Sequence, residues 1–115
     1  MHVTRIAPDA HDALVARISH LPHILASALS YQASKLPNAQ TRLCGSGLRD
    51  TTRIAAGDPL LWNAIFTQNK AQVREAINEF EKHIQTFKQA LDADDNQCLI
   101  ELLEAAQQQR ISLDS

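Results

Sequence analysis

Apolar residues recur along the first third of the chain at helical spacing. Leu14, Ile18, Leu21, Leu25 and Ala28 repeat every three or four positions, the signature of a helix with one buried stripe. The pattern predicts a first helix from about Asp9, with Asp9 or a neighbour as N-cap, to about Lys35, closed by Pro37-Asn38. Pro22 lies inside it, lacks a backbone donor and crowds the preceding turn, so a kink is expected there. Residues through about Gly47 read as a connecting loop, and Leu48 to Ala56 as a short helix stopped by Gly57. Asp58-Pro59 restarts the helix, with Asp as cap and Pro where its missing donor costs nothing. Val73, Ile77, Phe80, Ile84, Phe87 and Leu91 then recur in heptads, which predicts one central helix from Pro59 to Leu91, roughly 50 Å long. A chain of 115 residues cannot cover such a helix alone, so an arrangement intertwined with a second copy is expected. A last helix, Asn96 to about Arg110, carries Leu99, Leu102, Leu103 and Ala106. The expected organisation is an N-terminal segment (1–8), a helical domain (9–110) and a frayed tail (111–115).

Composition supports the all-α class: 3 glycines, 4 prolines and few β-branched or aromatic residues. A net charge of −2 with mixed signs gives no basic surface for nucleic acid. The apolar run Ile18 to Leu29 is interrupted by Ser, His and Pro and is too short to span a membrane. No apolar signal core follows Met1, so a cytoplasmic location is expected. Cys44 and Cys98 have no paired spacing and read as reduced thiols rather than a disulfide. Gly45 and Gly47 have the first spacing of a Gly-x-Gly-x-x-Gly turn, but Asp50 holds the third position and no apolar strand precedes them. The chain is therefore expected to bind no dinucleotide on its own.

On a wheel of about 100° per residue, Asp12, Ala16, Ser19, His20, His23, Ser27 and Ser30 share one arc opposite the leucine stripe. That arc is either a ligand-facing strip with imidazole donors or a helix contact with satisfied histidines. His20-x-x-His23 with Asp12 could offer metal ligands, but a kink at Pro22 spoils the geometry and no metal site is expected. His2 reads as terminal and His83 as a surface residue. Arg53, in a semi-apolar segment with Arg49 and Asp50, requires a planar anion. That anion is either a bound carboxylate or Asp50 in a local pair. Trp62 reads as core or as a pocket wall.

Taken together, His11-Asp12, Ile18-Ser19-His20-Leu21-Pro22-His23, Gly47-Leu48-Arg49-Asp50-Thr51-Thr52-Arg53-Ile54-Ala55, Asp58-Pro59, Trp62 and Asn69 resemble the C-terminal helical domain of the prephenate and arogenate dehydrogenases. The resemblance implies the substrate-binding and dimerisation half of an enzyme whose NAD- or NADP-binding half is a separate domain. That enzyme oxidatively decarboxylates prephenate to 4-hydroxyphenylpyruvate in tyrosine biosynthesis. Hydride leaves the ring carbon bearing the hydroxyl, and loss of the ring carboxylate aromatises the product. The catalytic histidine belongs to the other domain, so no catalytic residue is expected here and the isolated chain should be inactive. The resemblance assigns Arg53 to a substrate carboxylate, His23 and His11 to the substrate cleft and Trp62 to its wall. Gly45-Ser46-Gly47 becomes a turn beside the cleft, and His20 and Pro22 become structural. Ser46 and Leu48 depart from the family's usual Gly and Phe. The implied partners are a second copy, a nucleotide-binding domain, and prephenate or arogenate. The competing reading is a purely structural helical dimerisation module without ligand.

Overall fold

The computed structural model describes residues 6–41 and 45–115. His2 and Cys44 lie outside them. The described residues are helical throughout and contain no strand. The packing falls into two units, one up to Ile77 and one from Asn78 onward.

In the first unit, α1 (Pro8–Val15) starts on Pro8 rather than on a capping aspartate. Ala7 is its N-cap and makes no side-chain hydrogen bond, while Asp9 sits in the first turn, where a negative charge favours the helix dipole. The helical path continues through Pro22. The irregularity that proline demands is taken up one turn earlier as a π-turn, Ala16–His20, in which the Leu21 amide donates to the Ala16 carbonyl. Then α2 (Leu21–Ala33) carries Pro22 in its first turn.

The covered face differs from the expected one. Ala16, His23 and Ala26 are buried, whereas Leu14 is 39% and Ile18 64% exposed. The expected stripe is thus partly outward, and part of the expected polar strip is inside. The inside is set by close packing of small residues, Ala16 against Val73 and Ala76, which a wheel that assigns the buried face to the largest apolar side chains does not reveal. The core is small: Ala16, Val73 and Ala76, flanked by Leu21, Ile24 and Ile77. Two alanines at its centre let the backbones approach closely.

A single turn, α3 (Asn38–Thr41), interrupts the expected loop. Next comes α4 (Ser46–Thr52), with Gly45 as an extended N-cap, so Ser46 and Gly47 belong to the helix rather than to a turn. Thr51 and Thr52 donate their hydroxyls to the Gly47 and Leu48 carbonyls at 2.8 and 2.6 Å, and the segment tightens into a 3-10 turn, Arg53–Ala56. Asp58 caps α5 (Pro59–Gln68) by accepting from the Leu60 amide at 3.0 Å, as its sequence signal predicts.

The long central helix is broken. Asn69, at φ −123° and ψ 33°, ends α5, and α6 (Lys70–Asp92) starts immediately after it. A mid-pattern Asn is a weak signal, because its cost in a helix is modest. At the break the Asn69 side chain makes long-range contacts, its Nδ2 lying 2.9 Å from the Asp12 carbonyl oxygen and 3.4 Å from His20 Nδ1.

The second unit comprises the rest of α6 and α7 (Asn96–Leu113). They are joined by a turn in which Asp94 adopts φ 52° and the Asp95 amide donates to the Ala90 carbonyl at 2.9 Å. Asp95 caps α7, accepting from the Cys98 amide at 3.0 Å. The expected tail is helical to Leu113. Ile84, Leu91, Ile100, Leu103, Ile111 and Leu113 are all exposed.

Candidate functional site

Two histidines and two aromatic residues meet in the first unit. The His23 ring lies flat on Trp62, with centroids 3.9 Å apart and an interplanar angle of 11°. Such a stack contributes roughly 0.5–1.5 kcal/mol beyond the area it buries. Phe66 tilts against both rings. Spacing explains the assembly: Pro59, Trp62, Asn63 and Phe66 lie three and four apart on one face of α5, and α2 packs against the 3-10 turn.

These residues enclose an open recess of about 240 Å³, lined by His23, Ser27, Ala55, Gly57, Pro59, Trp62, Asn63 and Phe66. Gly57 has an ordinary extended backbone, φ −63° and ψ 164°, so its role is not a left-handed helix stop. Its requirement is space. A Cβ there would fall 2.8 Å from Trp62 Nε1 and 3.2 Å from His23 Cε1.

His23 is 5% exposed, and burial pushes its pKa below the ordinary histidine value by desolvating the charged form. It is therefore a neutral ring near pH 7. His20 is half-buried, edge-on to Trp62 and Phe66, and its Nδ1 lies 3.4 Å from Asn69 Nδ2. Pro22 lies at the start of α2, directly after the π-turn.

The other expected site residues are more dispersed. Arg53 is exposed on the 3-10 turn and does not line the recess, but Ala55, two residues on, does. Among the described residues, ion pairs occur at His11–Asp12 (3.6 Å) and Arg110–Asp114 (2.8 Å), and none joins Asp50 to Arg49 or Arg53. The guanidinium is left without the local carboxylate that would satisfy it. His11 is exposed beside Asp12 and does not line the recess, nor do Gly45, Ser46 and Gly47. Ser27, on the expected polar arc with His23, does line the recess, whereas Ala55, Gly57, Pro59, Asn63 and Phe66 were not expected in its wall. The three-and-four spacing around Trp62 was the signal that could have found the α5 members. Among the described residues no group of three or more His, Cys, Asp or Glu could hold a metal ion, and no helix is long and apolar enough to cross a membrane. Cys98 is a free thiol.

Comparison with known proteins agrees with this helical arrangement. Residues 7–105 match the family described as prephenate dehydrogenase, dimerization domain. The prephenate dehydrogenase of Bacillus subtilis is 30% identical over 115 residues, covering 97% of this chain and 31% of that protein. The prephenate dehydrogenase of Lactococcus lactis is 31% identical over 119 residues, covering 99% and 34%. The chain thus spans about a third of the length of these relatives. A crystal structure of prephenate dehydrogenase from A. aeolicus, in complex with hydroxyphenyl propionate and NAD+, matches with a TM-score of 0.89 and 32% identity. That match covers 97% of this chain and 40% of the other. The chain belongs to the prephenate dehydrogenase dimerization-domain family.

Proposed function

We propose that this chain is the substrate-binding and dimerising part of a prephenate-type dehydrogenase. The observation that carries the reading is the recess itself. A neutral imidazole lies flat on an indole, and a guanidinium without a carboxylate partner stands two residues from the recess wall. A flat ring suits a cyclic substrate, and the Arg53 cation, exposed outside the lining, suits its acid group. Prephenate carries two carboxylates, and a planar guanidinium binds one of them in bidentate fashion.

His23, Arg53 and Trp62 bind and orient the substrate in this reading. His11 and the Gly45-Ser46-Gly47 segment stand at the edge of the cleft, where only the resemblance puts them. The described residues form no strand, so a dinucleotide fold is not built from them. The nicotinamide cofactor, which accepts the hydride when bound, would be held by a nucleotide-binding domain of the same longer chain or of a partner. The second copy in the dimer is expected to cover the exposed apolar positions of α6 and α7.

The test is an assay of two proteins, the 115-residue chain and a fusion in which it replaces the matched part of the Bacillus subtilis relative. The chain alone should give no prephenate-dependent reduction of NAD+, and the fusion should give it. Turnover by the chain alone would refute the division of labour. A folded, dimeric fusion without turnover would favour a module without ligand.

A further inference from the structure

We infer that Asn69 is a positioning residue that fixes the ring of His20 in one tautomer, with Nδ1 bare and the proton on Nε2. Asn69 is the residue at which the central helix breaks, and its side-chain nitrogen lies 2.9 Å from the Asp12 carbonyl oxygen and 3.4 Å from His20 Nδ1. The first contact settles which end of the amide is which. A backbone carbonyl can only accept, so the NH2 group, not the oxygen, faces Asp12. That NH2 has two hydrogens and two neighbours. One goes to Asp12, and the other reaches His20, whose Nδ1 must then be an acceptor.

The same two contacts explain local features that otherwise stand unconnected. His20 closes the π-turn Ala16–His20, Asp12 lies one turn before it, and Asn69 ties both to the α5–α6 junction. The break in the helix is thus the structural cost of aiming this amide, and it replaces the single helix that the heptad pattern predicts. With Nδ1 accepting from Asn69, the donor His20 has left beside Trp62 and Phe66 is Nε2–H. This arrangement holds whatever ligand the recess takes.

The test uses the 115-residue chain labelled with 15N at its histidines, at pH 8, where an ordinary histidine is neutral. Long-range 1H–15N correlations report which ring nitrogen carries the proton. The wild-type chain should show His20 with Nδ1 unprotonated and Nε2 protonated. Asn69→Asp places an acceptor where the donor stood, and Nδ1 of His20 should become protonated while the patterns of His11 and His83 stay unchanged. A wild-type His20 protonated on Nδ1 overturns the assignment without any variant. An Asn69→Asp chain of native helix content whose His20 keeps a bare Nδ1 also overturns it, since a merely structural asparagine predicts no change at the ring.

Discussion

The two units of this chain use the same amino-acid alphabet to opposite ends. The first is irregular: a π-turn, a 3-10 turn, a helix break at Asn69 and a core made of alanine and valine. The second is two regular helices; among the described residues, six of its large apolar side chains are exposed, and so are eight in the first unit, Leu60, Tyr31 and Ile18 the most open of these. The π-turn ends on His20, the Asn69 side chain at the helix break reaches His20, and Ala55 of the 3-10 turn lines the recess with His23 and Trp62, so regular helix has been given up where these side chains are placed. In the second unit nothing is aimed, and the exposed apolar residues are what an assembly surface needs. In the proposed reading the first unit binds and the second associates.

That separation can be broken by substitutions that affect one region and spare the other. The largest effect is expected in the second unit. Ile84→Glu combined with Leu91→Glu should weaken self-association by at least about 100-fold, as judged by sedimentation at micromolar concentration, because two buried charges at an apolar interface cost several kcal/mol. The His23–Trp62 stack should survive, seen as unchanged tryptophan fluorescence. A dimer indifferent to both charges would place the interface elsewhere.

Next is Gly57→Ala. The added methyl collides with Trp62 and His23, and overpacking of this kind costs roughly 1–3 kcal/mol. The urea midpoint should fall and the tryptophan emission should shift, with the dimer constant unaltered apart from the stability loss. An unchanged midpoint would mean that the stack yields easily and does not define the recess.

The smallest effect is the pH dependence of stability through His23. Its folded-state pKa lies below its unfolded value, so the unfolded chain binds more protons in the window between them. Stability is therefore complete above the ordinary histidine range and is lost as pH falls through it. The urea midpoint should be lower at pH 5.5 than at pH 8, and His23→Gln should flatten that dependence. A midpoint that rises on acidification would contradict the burial of a neutral ring.

How much of this was legible in the sequence follows the same contrast. The regular parts were readable: the Asp58-Pro59 cap, the α6 heptads and the α7 leucines lie where propensity and periodicity put them. The irregular parts were not. Periodicity puts the largest apolar residues inside, whereas this helix buries Ala16 in close packing with Val73 and Ala76 and leaves Ile18 exposed; the π-turn at Ala16–His20 has no periodic signal at all. Asn69 carries no strong breaking signal, because its effect depends on Asp12 and His20, more than forty residues away in the chain. Gly57 was correctly placed at a helix end but for the wrong physical cause, since the steric demand comes from Trp62. The site residues were legible as chemical types, with His23 and Trp62 brought together, while Arg53 and His11 stand outside the recess lining.

The proposed role of the Arg53 guanidinium is to bind a substrate carboxylate beside the His23–Trp62 recess. The most direct measurement is the steady-state KM for prephenate of the fused enzyme carrying Arg53→Gln. The exchange removes the charge and the two-pronged donor while keeping a polar, hydrophilic side chain. A hydrogen-bonded ion pair of about 2 kcal/mol corresponds to roughly a 30-fold change, so the account predicts a KM raised by at least that factor in a protein with unchanged dimerisation. A KM within about twofold of the parent would contradict it.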